Sequence, residues 1–451
     1  METLSQILIV VVFIAMFVVI TIGKVHRYIP ALIGAVICLL ILMLVQRSFD
    51  NVVTVLNVGE IFKPIFWYPG NEHLESHGVN WQTIIFIGGM MVMVEGLAHS
   101  GFFRWLCLVV AKLVRYKVVP ILVTFMLLSG FLAMFIDSIT VLLFLASVTI
   151  ELARLLKFDP VPVIIAEIFA ANTGGSATMA GDPPNIIIGT AFGYSFMDFL
   201  KNTGVIAWIG MLAALVFFYF AFRKSLVSKQ GNPGEHDDHY PSPSEAIKDR
   251  THFLINSGIF LLVIILLITH AETGISVASI GVIAAVLTLL AAGKNAGYII
   301  KRIDWKTLVF FFGLFVVVGG LEVTGILKLV AEYIEKVSGG NIIVIMTIVL
   351  WVSAFASAIV DNIPFAATMV PVIANLAPDP GALHGLSWTL ALGTDIGGNA
   401  TPIGASANVV GTAIAEREGY TVGWGRFMKY AAPAMIFVVG ICWVLLYLWH
   451  F

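Results

Sequence analysis

Two polar segments, far apart in the chain, carry the side chains best suited to binding a small solute. They are residues 172–185 and 395–408, and each interrupts a long apolar run. Glycine, proline, hydroxyl, amide and carboxyl groups stand where a continuous membrane helix would carry apolar side chains. Aligned without a gap, the segments share their glycines and a final asparagine, Asn185 in one and Asn408 in the other. Broken polar segments in corresponding halves of a chain point to the binding site of a transporter.

Acidic residues within apolar runs form a second group. Asp137 and Asp361 each separate two apolar stretches, and Asp182 and Asp395 lie inside the polar segments. A charge at membrane depth costs at least ~2.5 kcal/mol, so such residues usually serve transport. A carboxyl group there can exchange protons near neutral pH or hold a cation. The structural alternative is that these residues cap helices and turns. We favour proton coupling for Asp137 and Asp361 and leave both roles open for Asp182.

We therefore predict one site for substrate and coupling ion, built from both segments and both acidic turns. Its candidate residues are Asp137, Ser138, Asn172, Gly174, Gly175, Thr178, Gly181, Asp182, Asn185, Asp361, Asn362, Asp395, Gly397, Gly398, Asn399, Thr401, Gly404, Ser406 and Asn408. The glycines let backbone groups approach a ligand, and the amides and hydroxyls supply neutral donors and acceptors. HExxH, GxSxG and Walker A patterns are absent, so we expect no catalytic residue, no cofactor and no metal site.

The composition places the chain in a membrane. It has 451 residues, of which 59% are hydrophobic and only 12% charged, and its mean hydropathy is +0.98. Soluble globular proteins carry roughly 25% charged residues. The net charge of -2 and the lack of a basic tail indicate no nucleic-acid partner.

Apolar runs long enough to cross a bilayer recur along the sequence. We predict an all-α polytopic membrane protein with about ten transmembrane spans, two of them broken. The spans are 4–22, 29–45, 81–98, 161–193 (broken), 203–222, 252–270, 275–292, 305–320, 385–415 (broken) and 428–450. The segments 118–153 and 342–377 turn at Asp137 and Asp361, and they are predicted to be re-entrant hairpins. The segments 99–117 and 322–340 are predicted to be amphipathic helices along the two membrane interfaces.

Basic residues orient this threading. Most of the 25 lysines and arginines fall on one side, which the positive-inside rule assigns to the cytoplasm. Both termini are then external, and the polar stretch 223–251 is a cytoplasmic linker. This topology predicts a multi-pass protein of the cell membrane, surrounded by lipid.

The two halves of the chain repeat each other. Trp81-Gln-Thr-Ile-Ile-Phe matches Trp305-Lys-Thr-Leu-Val-Phe, and the register extends to Asp137 and Asp361. The threading brings Trp81 in from outside and Trp305 from inside, so the repeats are inverted, as in alternating-access transporters. The predicted units are N-terminal scaffold helices with an outer loop (1–80), repeat 1 (81–222), the linker (223–251), further scaffold helices (252–304) and repeat 2 (305–451).

Four motifs resemble the ion-transporter superfamily, which includes citrate transporters, and most closely its arsenite permease and melanosomal P-protein branch. They are Phe-Ile-Asp-Ser-Ile-Thr-Val-Leu-Leu-Phe (135–144), Gly-Asp-Pro-Pro-Asn-Ile-Ile-Ile-Gly (181–189), Asp-Asn-Ile-Pro (361–364) and Gly-Gly-Asn-Ala-Thr-Pro-Ile-Gly-Ala-Ser-Ala-Asn-Val-Val (397–410). The resemblance implies an elevator-type carrier, often dimeric, in which a transport domain made of the hairpins and broken helices moves against a scaffold. It also assigns a site role to Asp137, Ser138, Asn172, Thr178, Gly181, Asn185, Asp361, Asn362, Asp395, Asn399, Thr401, Ser406 and Asn408.

The hairpin tips separate this chain from the dicarboxylate branch of that superfamily. That branch carries Ser-Asn-Thr at both tips, whereas this chain has Asp137-Ser-Ile and Asp361-Asn-Ile. An acidic tip repels an anionic substrate. The leading hypothesis is efflux of arsenite or antimonite by proton antiport, because As(OH)3 is a neutral polyol that suits Asn, Thr and Ser. A Na+/H+ antiporter and an anion carrier of the carboxylate type are the alternatives. A homodimer and a separate ATPase subunit remain open as partners.

Overall fold

The computed structural model describes residues 2–70, 78–227 and 240–451. Over these ranges the secondary structure is helical, without β-strand. The α-helices are Glu2–Ile22, Tyr28–Leu40, Phe49–Leu56, Pro64–Trp67, Trp81–His99, Phe102–Leu113, Val118–Ala133, Ser138–Leu156, Val161–Gly175, Pro183–Phe192, Phe196–Phe199, Val205–Val227, Arg250–Thr273, Val277–Ala292, Ala296–Arg302, Trp305–Val323, Ile326–Ser338, Ile342–Ile359, Asn362–Leu376, Pro380–Gly397, Ser406–Arg417 and Trp424–His450.

Ten helices of the described chain are long and apolar enough to cross a membrane. They include one arm of each predicted hairpin, Ser138–Leu156 and Ile342–Ile359, whereas the predicted broken spans are divided into shorter helices. Along Glu2–Ile22, Leu4, Ile7 and Val11 are each more than half exposed. Apolar side chains exposed at helical spacing need lipid around them. The predicted all-α polytopic membrane architecture is confirmed.

Both predicted hairpins are pairs of helices joined by a short turn. The first hairpin is Val118–Ala133 with Ser138–Leu156, and the second is Ile342–Ile359 with Asn362–Leu376. An aspartate caps the second helix of each: Asp137 accepts a hydrogen bond from the Thr140 backbone N–H at 3.0 Å, and Asp361 accepts one from the Ile363 N–H at 3.2 Å. Because N-cap carboxylates satisfy free backbone donors, the capping role exists at both tips.

The two broken spans unwind over shorter stretches than the polar segments suggested. The first runs as Val161–Gly175 and Pro183–Phe192, and the second as Pro380–Gly397 and Ser406–Arg417. The early part of segment 172–185 therefore closes one helix and its last part opens the next. Glycine is well tolerated in the last turn of a helix. Proline suits the first turn, because backbone N–H groups there have no partner within the helix and proline lacks this group.

Each hairpin packs against the broken span of its own repeat through bare backbone. A Cβ added to Gly174 would lie 2.6 Å from the carbonyl carbon of Gly130, and one added to Gly397 would lie 2.5 Å from the carbonyl oxygen of Ala354. Contacts this short leave no room for a side chain. The hairpins and broken spans thus form tightly joined pairs, which we call the site body.

Equivalent features also recur outside the site body. Gly101 (φ +86°) and Gly325 (φ +76°) begin the amphipathic helices Phe102–Leu113 and Ile326–Ser338, in a left-handed turn that favours glycine. These helices are shorter than the predicted segments 99–117 and 322–340. Trp81–His99 and Trp305–Val323 are the matching entry helices of the two repeats.

The predicted linker is structured at both of its described ends. The preceding helix continues to Val227, and residues 228–239 lie outside the described residues. Further on, Tyr240 stacks on Tyr116 with ring centroids 4.3 Å apart, and the Tyr116 hydroxyl donates to the Pro241 carbonyl at 3.0 Å. The aromatic pair attaches this end of the linker to the turn that follows helix Phe102–Leu113. The polar composition of the linker did not indicate this contact.

Candidate functional site

The hairpin tips meet the breaks of the two broken spans in the interior of the protein. The Ser138 hydroxyl, at the first tip, donates to Asp182 Oδ1 at 2.9 Å. The Asn362 amide, at the second tip, donates to Asp182 Oδ2 at 2.7 Å and to Asp395 Oδ1 at 3.4 Å. One amide therefore joins two carboxyl groups that come from different repeats. We call Asp182 and Asp395 the carboxyl pair.

The carboxyl pair is buried without a countercharge. Asp182 is 4% exposed and Asp395 is fully buried, and neither forms an ion pair with a basic side chain of the described chain. Asp395 Oδ2 has no hydrogen-bond partner there. Asp182 stands at the N-cap of Pro183–Phe192 but makes no side-chain capping bond. Two neighbouring buried carboxylates repel each other, so a proton or a cation is needed to neutralise the pair.

Asparagines join and brace the two breaks. The Asn172 amide donates to Asn399 Oδ1 at 3.0 Å and to Asn408 Oδ1 at 2.8 Å, which connects one broken span to the other. The Asn408 amide in turn donates to the carbonyls of Gly398 and Thr401, each at 2.7 Å. Buried amides bonded in this way fix the shape of the unwound backbone.

The first break is braced by the same pattern. The Asn185 amide donates to the carbonyls of Gly175 and Thr178, each at 3.0 Å. The Thr178 hydroxyl donates to the Met134 carbonyl of the first hairpin. Its equivalent, Thr401, donates to the Ala358 carbonyl of the second. These side chains hold the breaks against the tips, and direct binding of a solute by them stays a prediction.

The glycines of the predicted site serve close packing. Gly181 and Gly404 occupy equivalent places, where an added Cβ would lie 2.7 Å from the Ala133 carbonyl oxygen and 2.8 Å from the Ser357 carbonyl oxygen. Gly174 and Gly397 contact the hairpins, as described above, and Gly175 and Gly398 supply the carbonyls that the asparagines bind. The structure thus brings together all of the predicted segments.

The two tip aspartates have partners of their own. Asp137 accepts from the Thr140 hydroxyl at 2.7 Å as well as from its backbone N–H. Asp361 Oδ2 accepts from the Ser406 hydroxyl and from Arg27 Nη1, both at 2.9 Å. Proton coupling by these two residues stays a prediction. Of the two, Asp361 forms an ion pair, whereas Asp137 accepts its hydrogen bonds from the neutral Thr140.

Arg27 is the site residue that the sequence did not reveal. Besides Asp361, its guanidinium donates to the Ser406 hydroxyl at 2.7 Å and to the Thr307 hydroxyl at 3.0 Å. In the sequence Arg27 only counts among the basic residues that orient the chain. Its acidic partner lies 334 positions away, so no local pattern could have paired them.

A cavity of about 180 Å³ leads to the carboxyl pair. At ~30 Å³ per molecule this is room for roughly six waters. Its charged lining consists of four acids and two arginines: Arg27, Glu95, Asp137, Asp182, Arg302 and Asp304. Both arginines are paired, Arg27 with Asp361 and Arg302 with Glu95 at 3.4 Å.

A second cavity, of about 290 Å³, lies at the other end of helix Trp81–His99. Gln82, near the start of that helix, lines the second cavity, whereas Glu95, near its end, lines the first. Asp182 borders only the first cavity, and Asp395 borders neither. The structure therefore connects Asp182 to the cavity on the Arg27 side and not to the second cavity.

Comparison with known proteins agrees with this architecture. The model of the CitMHS citrate transporter family matches residues 15–393. An uncharacterized transporter of Mycobacterium tuberculosis is 31% identical over 443 residues, which cover 98% of this chain and 97% of the relative. The human P protein is 30% identical over 465 residues, covering 83% of this chain and 55% of that protein. The predicted relationship to the P protein is thereby confirmed.

Two solved structures share the fold. The YdaH transporter of Alcanivorax borkumensis superposes with a TM-score of 0.59 at 15% identity, covering 90% of each chain. MtrF of Neisseria gonorrhoeae, described as one of a class of antimetabolite efflux pumps, gives a TM-score of 0.54 at 14% identity, covering 90% of this chain and 85% of its own. At such identities the likeness concerns the fold alone. The family match and the transporter relatives establish that the chain belongs to the CitMHS citrate transporter family and is a membrane transporter, not an enzyme.

Proposed function

We propose that this transporter exchanges protons for a small neutral or cationic solute, and that the carboxyl pair binds the coupling proton. The observation that carries the proposal is the burial of Asp182 and Asp395 side by side, joined by Asn362 and without a countercharge. A pair of this kind is stable with one bound proton and binds a cation once the proton leaves. Mutual exclusion between proton and solute at one site is the basis of antiport.

The charges of the cavity argue against a free polycarboxylate as substrate. Acids outnumber arginines in its lining, and both arginines already bind acids of the protein. A citrate anion would have to break the Arg27–Asp361 or Arg302–Glu95 pair and then approach Asp182. We therefore propose a substrate unlike the one that names the family. Citrate remains a necessary arm of the test.

Arsenite and antimonite are the first candidates. Each is a small neutral polyol at pH 7, whose hydroxyls can both donate and accept hydrogen bonds. Ser138, Asn362 and Asp182 offer donors and acceptors at the cavity, and the hydroxyls of the solute can donate to the Asp182 carboxylate when its proton leaves. No charge has to be neutralised on the ligand. The proposed reaction is efflux of the solute in exchange for entering protons.

Sodium is the second candidate, and a different observation favours it. Three buried oxygens near the breaks accept no hydrogen bond from the described part of the chain: Asp395 Oδ2, Asn172 Oδ1 and Asn185 Oδ1. Carboxylate and amide oxygens are the ligands that hard cations prefer. With Na+ as the solute, the same carboxyl pair would make the protein a Na+/H+ antiporter.

Transport into everted membrane vesicles tests the proposal. With an acidic lumen, we expect arsenite to accumulate inside in exchange for protons, and the accumulation to collapse with a protonophore. If arsenite fails and sodium instead releases protons from the lumen, the second candidate holds. Accumulation of citrate alone would overturn both.

Substrate-dependent thermal stabilisation of the purified protein provides an independent measurement. Arsenite, antimonite, Na+ and citrate are compared at equal ionic strength, since only a ligand that binds the folded state raises Tm. The proposal also includes the orientation with both termini external, assembly as a homodimer, and association with a separate ATPase subunit. Cross-linking in native membranes tests both partners.

A further inference from the structure

We propose that Arg27 is a positioning residue that holds the tip of the second hairpin against helices Tyr28–Leu40 and Trp305–Val323. This contact favours the conformation in which the cavity lined by Arg27 reaches Asp182. The inference rests on the proposed division of the protein into a scaffold and a moving transport domain.

The contacts of Arg27 span two separate groups of helices. One end of its guanidinium donates to Asp361 at 2.9 Å and Ser406 at 2.7 Å, both in the site body. The other end donates to Thr307 at 3.0 Å, and the guanidinium carbon Cζ lies 4.9 Å from the ring centroid of Phe310; both partners are on helix Trp305–Val323. We call these contacts the Arg27 bridge. Its side chains are only partly exposed, 22% for Arg27 and 14% for Asp361, so water weakens the ion pair less than on an open surface.

Arg27 and Thr307 belong to one rigid unit. Arg27 directly precedes helix Tyr28–Leu40, which packs along Trp305–Val323. A Cβ added to Gly313 would lie 2.6 Å from the carbonyl carbon of Ala31, so these two helices touch through their backbones. On the other side of the contact, Asp361 and Ser406 are part of the site body, whose helices are packed just as tightly. The Arg27 bridge is therefore a contact between two bodies.

Among the described residues, an arginine bridge of this kind is found at the second tip and not at the first. In the first repeat, Gly89 packs on the backbone of Gly281 as Gly313 packs on Ala31, with an added Cβ 2.6 Å from the Gly281 Cα. The residue that then corresponds to Arg27 is Val277, which cannot pair with an acid. A contact present in one repeat and absent from its counterpart biases an otherwise symmetric exchange between two conformations.

The cavity shows which conformation the bridge favours. Arg27 and Ser406 line the same cavity that reaches Asp182. Loss of the bridge should therefore lower the population of the state with this cavity open. Charge-assisted hydrogen bonds of a guanidinium are strong and directional, and we expect a shift of about tenfold in the population ratio, or ~1.4 kcal/mol.

Cysteine accessibility in the absence of any solute measures that ratio. Met91→Cys lies in the cavity on the Arg27 side, and Gln82→Cys lies in the other cavity, near the opposite end of the same helix. The three native cysteines are buried and contribute a low background. The labelling rate of each site with a hydrophilic maleimide is determined in detergent-solubilised protein. Arg27→Gln should lower the Met91→Cys to Gln82→Cys rate ratio about tenfold.

The matched control is Arg302→Gln. Arg302 lines the same cavity and pairs with Glu95, but neither residue belongs to the site body. Loss of this pair should therefore change the ratio less than twofold. Asp361→Asn should give the same shift as Arg27→Gln, and the double variant should add nothing to it. An unchanged ratio in Arg27→Gln, or fully additive effects in the double variant, would overturn the proposal.

The outcome does not depend on the substrate. Because the labelling uses no solute and no proton gradient, failure of arsenite transport leaves it unaffected. Should Arg27→Gln not insert into the membrane, Asp361→Asn alone decides, since it keeps the shape of the side chain and removes its charge.

Discussion

Replacing Asp182 with asparagine is the most direct test of the carboxyl pair. The substitution preserves size and shape and removes the ionisable group. Its hydrogen bonds can be satisfied: the new carbonyl accepts from Asn362, and the new amide donates to the Ser138 hydroxyl, which can turn to accept. The protein should therefore fold, with a change in Tm below about 3 °C.

The variant loses proton and cation binding because asparagine neither binds a proton nor carries a negative charge, and the two hydrogen bonds show how strongly the native site favours that charge. A hydrogen bond to a charged group contributes about 1.5–3 kcal/mol, against about 0.5–1.5 kcal/mol for a neutral pair. The two bonds from Ser138 and Asn362 therefore favour the ionised carboxyl group over the neutral one by about 2 kcal/mol, or roughly 30-fold, which helps Asp182 to release its proton. Asparagine has no ionised form for these bonds to favour. With the second carboxyl left at Asp395, one proton can no longer be shared, and coupling should disappear.

The assay is accumulation of the transported solute in everted vesicles over a range of imposed pH gradients. We expect Asp182→Asn to abolish the dependence on the gradient, while downhill exchange of solute can persist. The control is Asp379→Asn, which makes the same chemical change at an exposed helix cap, where asparagine serves equally well. Gradient-driven accumulation at the wild-type level in folded Asp182→Asn would refute the reasoning.

Three further predictions concern stability. Gly397→Ala should destabilise the protein by about 1–3 kcal/mol, because the new Cβ would lie 2.5 Å from hairpin backbone. The control, Gly258→Ala, has nothing within 4 Å of the new Cβ and should stabilise the protein by about 0.5–1 kcal/mol. Thermal unfolding in detergent compares the two variants. Thr401→Val should cost about 1–3 kcal/mol, because it leaves a buried carbonyl unpaired, and the same measurement contradicts this if Tm is unchanged. The backbone N–H groups of His252 and Thr251 hold the pKa of Asp249 below its usual value of 3.8, so the cap is present above that pH and lost as the pH falls through the lowered pKa. Amide exchange at His252 should accelerate in that acidic range and stay flat there in Asp249→Asn.

Much of the fold could be predicted because local patterns encode it. Apolar runs of spanning length predicted the membrane helices, and glycines and prolines at 172–185 and 395–408 predicted where two spans break. The equivalence of Asp137 and Asp361 placed both hairpin turns. The helices, the breaks and the turns themselves each depend on residues close together in the chain, where helix periodicity and helix-breaking residues act. The equivalence of the two halves is also visible in the sequence, as a repeated pattern.

The carboxyl pair and the Arg27 bridge were decided by tertiary structure alone. The sequence offered four intramembrane aspartates and favoured Asp137 and Asp361, the two at the tips, by symmetry. Folding gave Asp361 an arginine from 334 positions away and left Asp182 and Asp395 without a countercharge. Which carboxylates keep a partner depends on distances between side chains of different helices, and no spacing within one helix records those distances. The sequence alone therefore determined that polar groups meet inside a membrane, and the packing determined which of them remain free to bind.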